Sequence, residues 1–340
     1  MTVSETSSTT TQPTVPQPTA TTQPLAALSY DATVPRNLVH RTSVAEVFVT
    51  DSAETAPHTY AVAAQLPRGH LIGENAPIYD YTLLIEVVRQ AGVLAAHRYL
   101  GVELGTVFIF RHLHLSTVDV ERLRIGTDPA QVLVRMKVEP RRNKAGRLQG
   151  FTFTGDVSLD GGVVLLGEGT LLVLSPQAYQ KLRAKRRTAG PDARLPRFTP
   201  AAPTTVGRRE PRNIFITEPV FTGRSEASCV LVTDPSHPHM FDHPLDHVPG
   251  HLQMEAARQL AIASVSRLHG LSAETLTIGG ITTDFNDYAE LDHVTELRAS
   301  ADGLQRHDTL STLAVPVTIE VAQGSTVTTT IRVEVVQWGI

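Results

Sequence analysis

The chain has 340 residues, room for about two domains, and 41% of them are hydrophobic, an ordinary fraction for buried cores. Lys plus Arg (30) against Asp plus Glu (34) gives a formal net charge of −4, without the basic excess of a general nucleic-acid binder. One cysteine, Cys229, excludes an intramolecular disulfide framework and a cysteine-rich zinc module, and no uncharged apolar run is long enough for a membrane helix.

Residues 1–28 are Thr, Pro, Gln and Ser with almost nothing apolar, so they are expected to be a disordered tail. The tail lacks the basic start and apolar stretch of an export signal, and the protein is expected in the cytoplasm. Strand-like stretches follow at Val44–Thr50 and Tyr60–Leu66. In Tyr81–Leu100 the apolar residues Leu84, Val87, Val88, Ala91, Leu94 and Ala95 recur at three- and four-residue steps, the helical period, and Gly101 stands where a glycine stops a helix. Strand patterns return at Thr106–His114, Gln131–Glu139, Leu148–Leu159 and Val163–Leu174. From Pro176 the chain turns proline-rich, and between Lys181 and Arg212 it carries ten Lys or Arg against two acids, which reads as a linker. A strand at Glu226–Val232 and a second helix at Gly250–His269, stopped by Gly270, then restart the pattern. Strands at Leu276–Phe285, Thr309–Glu320 and Thr326–Val335 complete it.

The halves repeat. Glu86, Arg89 and Gln90 on the first helix recur as Glu255, Arg258 and Gln259 on the second, 169 residues on; at the same spacing His70 falls on His239 and Gly101 on Gly270. Pro35-Arg36-Asn37 recurs as Pro211-Arg212-Asn213 at a spacing of 176. This predicts a duplicated α+β unit, one long helix among antiparallel strands, with domains at 29–175 and 211–340 joined by a linker at 176–210.

Each triplet lies at i, i+3 and i+4, on one helix face among Leu, Val and Ala. A charge in such a setting needs a partner, and the neighbouring Arg supplies one. Two readings stay open: a structural ion pair with the Gln bonded to the sheet, or a general acid or base held by its Arg. His239, His243, His247 and His251 are spaced by four, but Pro238, Pro244, Pro249 and Gly250 break any helix there, so no metal site is expected. The stretch reads instead as an irregular loop leading to a helix N-terminus, either one that favours an anionic oxygen or simply a polar entry loop.

Asp242-His-Pro-Leu-Asp-His-Val-Pro-Gly250 followed by Glu255-Ala-Ala-Arg-Gln259 resembles the hotdog-fold hydroxyacyl dehydratases. With Leu66-Pro-Arg-Gly-His70, Glu86-Val-Val-Arg-Gln-Ala-Gly92 and Asn37-Leu-Val-His-Arg41, the match over residues 35–340 is nearer to the A-factor biosynthesis (AfsA-type) family. The resemblance implies a tandem hotdog: two units, each with an antiparallel sheet wrapped around its central helix. It implies an acyltransferase that moves a β-ketoacyl group from acyl carrier protein to dihydroxyacetone phosphate, the first step towards a γ-butyrolactone signal controlling antibiotic production. No cofactor and no metal are implied. On that reading Glu255 with Arg258, or Glu86 with Arg89, is catalytic, the second-half pair slightly favoured. His70, Asp246, His247, Gly250, Gln90 and Gln259 are expected to line the substrate site, with backbone N–H groups near Gly250 holding the thioester oxyanion. Another acyl-thioester enzyme (dehydratase or thioesterase) and a non-catalytic acyl-binding regulator are the alternatives. The basic linker is a solvated loop, a docking element for an acidic carrier protein or, third, a phosphate-binding segment. A monomer that mimics a hotdog dimer and a homodimer are both compatible with this plan, and neither nucleic acid nor membrane is an expected partner.

Overall fold

The computed structural model describes residues 28–74, 77–186 and 196–338, so the tail through residue 27 and the middle of the basic segment lie outside the described residues. The first half runs β1 (Val49–Ala56), β2 (Thr59–Leu66), α1 (Tyr81–Tyr99), β3 (Val107–Thr117), β4 (Ala130–Arg142), β5 (Leu148–Leu159) and β6 (Gly162–Leu174). Helix α2 (Pro176–Arg186) follows. The second half runs β7 (Val220–Thr222), β8 (Glu226–Val230), α3 (Gly250–His269), β9 (Leu276–Phe285), β10 (Glu296–Ala301), β11 (Gln305–Arg306), β12 (Leu313–Gln323) and β13 (Thr326–Gln337). All strands join one antiparallel sheet in the order β1-β2-β4-β5-β6-β3-β9-β13-β12-β10-β8-β7, with β11 beside β12. The order β2-β4-β5-β6-β3 is repeated in reverse as β9-β13-β12-β10-β8, so the halves meet back to back at the β3–β9 seam, where Leu113 faces Thr283 and Ser116 faces Gly280.

Both long helices form where the apolar period places them. Asp80 caps α1 by accepting from the Thr82 N–H at 2.8 Å, and Gly101 beyond its end has φ 75°. Gly270, with φ 65°, ends α3 in the left-handed conformation that favours glycine. The sheet wraps each helix, so burial is nearly all-round: α3 packs on β8, β9, β10, β12 and β13, and α1 on β1, β2 and the start of α3.

The structure departs from the sequence reading in several places. Val44–Glu46 is a 3-10 turn rather than a strand, and the first strand is Val49–Ala56, whose polar Asp-Ser-Ala-Glu-Thr run hides it. The short strands β7, β10 and β11 are additional; alternating burial of Leu297 and Ala299 places β10 in the sheet. The start of the supposed linker is helical: Pro176 occupies the first turn, where its missing N–H costs nothing, and Ser175 Oγ accepts from the Ala178 N–H at 3.2 Å.

The repeat also aligns differently. Gln90 Nε2 donates to the Glu46 carbonyl at 2.7 Å, and Gln259 Nε2 to the Asn213 carbonyl at 2.7 Å. The turn Pro211–Asn213 therefore matches Val44–Glu46, 167 residues earlier, and not Pro35-Arg36-Asn37. At that spacing the counterpart of His70 is His237, since His70 Nε2 faces the Glu46 carboxylate (3.4 Å) as His237 Nε2 faces the Asn213 amide oxygen (3.1 Å). His239 instead matches Ile72; the carbonyls of both accept from an arginine, Arg41 at 3.4 Å and Arg208 at 2.8 Å.

Candidate active site

The glutamate of each triplet ends up at the centre of a closed set of donors. Glu86 Oε1 accepts from Arg41 Nε (2.8 Å), Arg89 Nη2 (2.8 Å) and Gln90 Nε2 (2.6 Å), and Oε2 from Arg89 Nε (2.8 Å). Glu255 Oε1 accepts from Arg208 Nε (3.0 Å), Arg258 Nη2 (2.9 Å) and Gln259 Nε2 (2.7 Å), and Oε2 from Arg258 Nε (2.8 Å). Arg41 and Arg208 thus play one role in the two halves. The helix starts also cross over. Thr82 Oγ1 on α1 donates to Glu255 Oε2 at 3.0 Å, and His251 Nδ1, at the matching place on α3, lies 3.5 Å from Glu86 Oε2. Burial alone would raise both carboxyl groups. The two guanidiniums around each outweigh it and hold both well below the usual carboxylate range.

The two clusters differ in what lies beside them. A cavity of about 1040 Å³ reaches Glu86, Arg89, Arg41, His251 and His239, and its apolar wall includes Val88, Val93, Phe108, Leu172 and Met254. Glu255 and Arg258 do not line it. Their cluster is closed: Asp80 bonds Arg208 at 2.6 Å, so two carboxylates match two guanidiniums. Around Glu86 one carboxylate contacts two guanidiniums, because Asp242 spends its oxygens on the Thr42 and Ser43 N–H groups at 2.5 and 2.9 Å. Arg89 keeps 24% of its side chain exposed. The cavity side is therefore the one suited to an incoming anion.

The other expected residues divide similarly. Asp246, His247 and Gly250 line the cavity. Asp246 accepts from Tyr179 Oη (2.7 Å), His247 Nδ1 (2.7 Å) and Arg183 Nε (3.0 Å), and the His247 contact leads in holding its carboxyl below the usual range. Arg183 also clasps Glu290 through two contacts of 2.7 Å, so α2 is fastened to the loop over the cavity. Gly250 opens α3, and a Cβ there would stand 2.9 Å from the Phe285 ring. Its lack of a side chain keeps the helix start, with its free N–H groups, against the cavity. Gln90, Gln259 and His70 stand away from the cavity. Both glutamines are fully buried, and their amides chiefly fasten the segment ahead of the strands rather than the sheet itself: Gln90 bonds Glu46 and Phe48, and Gln259 bonds Asn213 and Phe215.

Spacing and motif assign no role to Glu46, Arg41 or Arg208, and they mark His239 only as a counterpart of His70 and, with His251, as part of a stripe. Glu46 sits behind His239, its Oε2 2.6 Å from His239 Nδ1 and its Oε1 3.4 Å from His70 Nε2. These three residues bring ligand atoms within 4.8 Å of one another and form the one group among the described residues able to hold a cation. The 2.6 Å contact is the length of a charge-assisted hydrogen bond and accounts for that edge without an ion. No described helix is long and apolar enough to cross a membrane.

A family model for the A-factor biosynthesis hotdog domain (AfsA) matches residues 22–175 and again 191–337. The 2-oxo-3-(phosphooxy)propyl 3-oxoalkanoate synthase of Streptomyces virginiae is 37% identical over 266 residues, 77% of this chain and 85% of that protein. The enzyme of the same name from Streptomyces coelicolor is 30% identical over 76% of this chain and 79% of its own length. Among solved structures, the 12:0-ACP thioesterase of Umbellularia californica overlaps 83% of this chain and 99% of its own, at 12% identity and a TM-score of 0.45.

Proposed function

The chain belongs to the A-factor biosynthesis hotdog family, and from that premise we propose that it is an acyltransferase joining a 3-oxoacyl group to dihydroxyacetone phosphate. The product named for its relatives is the ester of a 3-oxoalkanoic acid with the free hydroxyl of that triose phosphate. The acyl donor is a β-ketoacyl acyl carrier protein in the cytoplasm. The observation that carries the reading is the cavity in which an apolar wall ends at the Glu86–Arg89–Arg41 cluster and the start of α3.

Each substrate part has a place there. The acyl chain lies along Val88, Val93, Phe108 and Leu172, its thioester oxygen at the N–H groups that open α3 near Gly250. Arg89 takes the phosphate, a planar guanidinium matching its oxygens. Glu86 anchors Arg89 and Arg41; with so many donors its proton affinity is too low for a strong base. Asp246 and His247, fixed by Tyr179 and Arg183, shape the mouth. The outward face of α2 carries exposed Lys181 and Lys185 beside the cavity residues Tyr179 and Leu182, a docking surface for an acidic carrier protein. The Glu255–Arg258 pair holds the second half together.

The test is to incubate the protein with 3-oxoacyl carrier proteins of several chain lengths and dihydroxyacetone phosphate, and to look for the ester or its cyclised butenolide by mass spectrometry. Product above an enzyme-free control is expected. Thioester consumption that is indifferent to the triose phosphate would instead identify a thioesterase or dehydratase.

A further inference from the structure

Resting on that reaction, we propose that His239 is the catalytic group that takes the proton from the attacking hydroxyl, and that Glu46 positions it. The tautomer follows from the hydrogen bonds. His70 Nδ1 accepts from the Ile72 N–H at 3.3 Å, so the proton of His70 sits on Nε2, facing Glu46. Glu46 thus receives N–H groups from both His70 and His239. With its own proton on Nδ1, His239 keeps a lone pair on Nε2, at the opposite edge of the ring. That nitrogen is buried and has no hydrogen-bond partner among the described residues, although His239 lines the cavity. A carboxylate behind a histidine, with the far nitrogen left open, is the arrangement of an oriented general base.

The duplicated half supplies a built-in control. Where Glu46 and His239 stand on the cavity side, the other half has Asn213 and Ile72. The fold therefore does not require a carboxylate–histidine pair at this position; the pair occurs only where a cavity exists. The charged and titratable groups facing His239 are Glu46, His70, His251 and Arg41. Burial leads in lowering the His239 ring to about 4, with His251 and Arg41 adding to it, so the ring is a neutral acceptor at pH 7.

The step balances. The hydroxyl oxygen of dihydroxyacetone phosphate forms a bond to the thioester carbon while its proton passes to His239 Nε2. The carbon–sulfur bond then breaks, and the proton returns from His239 to the departing thiolate, leaving ester and free carrier thiol.

The experiment measures ester formation by the full chain with 3-oxoacyl carrier protein and dihydroxyacetone phosphate. His239→Gln is expected to lower kcat at least a hundredfold, within the range for loss of a general base, with KM for the thioester changed less than threefold. His239→Ala is expected to regain at least tenfold with added imidazoles, the regain rising with the basicity of the imidazole used. Glu46→Gln is expected to lower kcat at least tenfold with both KM values kept, the rates being normalised to the folded fraction measured by calorimetry, and Glu46→Asp is expected to recover part of that loss. A His239→Gln rate within threefold of wild type overturns the assignment, as does an Ala variant that imidazoles do not restore. Activity lost on dialysis against a chelator and regained with zinc also overturns it, in favour of a metal on Glu46, His70 and His239. Absence of ester from the wild type overturns the reaction itself, a result distinct from an active wild type with indifferent variants.

Discussion

Replacing Glu255 with Gln separates the architectural role of the repeated triplet from its chemical one. The Glu255 carboxylate is 1% exposed and is contacted by Arg208, Arg258, Gln259 and Thr82. Gln keeps the volume and one acceptor oxygen, but it removes the charge that compensates the guanidiniums and turns an NH₂ towards groups that themselves donate. Breaking a buried ion pair from one side costs roughly 3–5 kcal/mol, and the retained acceptor puts this change near the lower end, about 3 kcal/mol. At about 2–4 °C per kcal/mol for a chain of this class, Tm is expected to fall by roughly 6–12 °C. Ester formation at 25 °C is nonetheless expected to stay within about threefold of wild type, because neither Glu255 nor Arg258 lines the cavity. Glu86→Gln provides the comparison: the chemistry of the change is the same and the fall in Tm similar, but here Arg89 and Arg41 lose their anchor beside the substrate. A displacement of about 1 Å in such groups lowers rates roughly a hundredfold. Differential scanning calorimetry and the mass-spectrometric assay on both variants decide the matter. Glu255→Gln losing as much kcat/KM as Glu86→Gln, in protein still folded at the assay temperature, would refute the division of labour.

Three further outcomes follow from the geometry. Gly250→Ala places a methyl group 2.9 Å from the Phe285 ring, so the ring must move into the cavity; a cost of about 1 kcal/mol and a higher KM for the thioester are expected, both relieved by Phe285→Leu. His40 and His239 are both lowered to about 4, burial leading in each, so the unfolded chain takes up protons first as pH falls below about 6.5. Their contribution is complete above that pH and is lost as pH falls towards 4, each histidine removing about 2 kcal/mol between pH 7 and pH 5; urea unfolding that is equally demanding at both pH values would contradict this. Val93→Phe, on the apolar wall two turns beyond Glu86, is expected to shift preference towards shorter 3-oxoacyl chains when long and short donors compete in one reaction.

The architecture was legible because its determinants are local. Apolar spacing marked α1 and α3, glycines marked their ends, and the doubled Glu-x-x-Arg-Gln marked the duplication. The strands that escaped are short or polar: β1 and β7 are edge strands paired with the next strand along, β11 has two residues, and β10 is held between β8 and β12 by partners distant in sequence. The ion pairs were legible for a similar reason, both members lying on one helix. Their completion by Arg41 and Arg208 was not, since each comes from a loop that tertiary folding carries to the helix, 45 and 47 residues away. The side on which the cavity opens was hidden for a deeper reason. The sequence weighs two nearly identical motifs, while the empty space depends on what every surrounding element leaves unfilled. His239 shows the hazard of matching letters: its spacing to His70 suggested a repeat, whereas the backbone contacts pair it with Ile72.

The seam between β3 and β9 has an evolutionary consequence. When two such units associate as separate identical chains, any substitution appears at both symmetry-related positions, so each improvement to one site is imposed on the other. Covalent fusion removes that obligation. The fused chain can hold His251 and His239 where the symmetry-related positions hold Thr82 and Ile72, so residues of both copies open a cavity beside Glu86 while the cluster around Glu255 stays sealed. A single chain thereby carries one worksite and one buttress, a specialisation that strict twofold symmetry forbids.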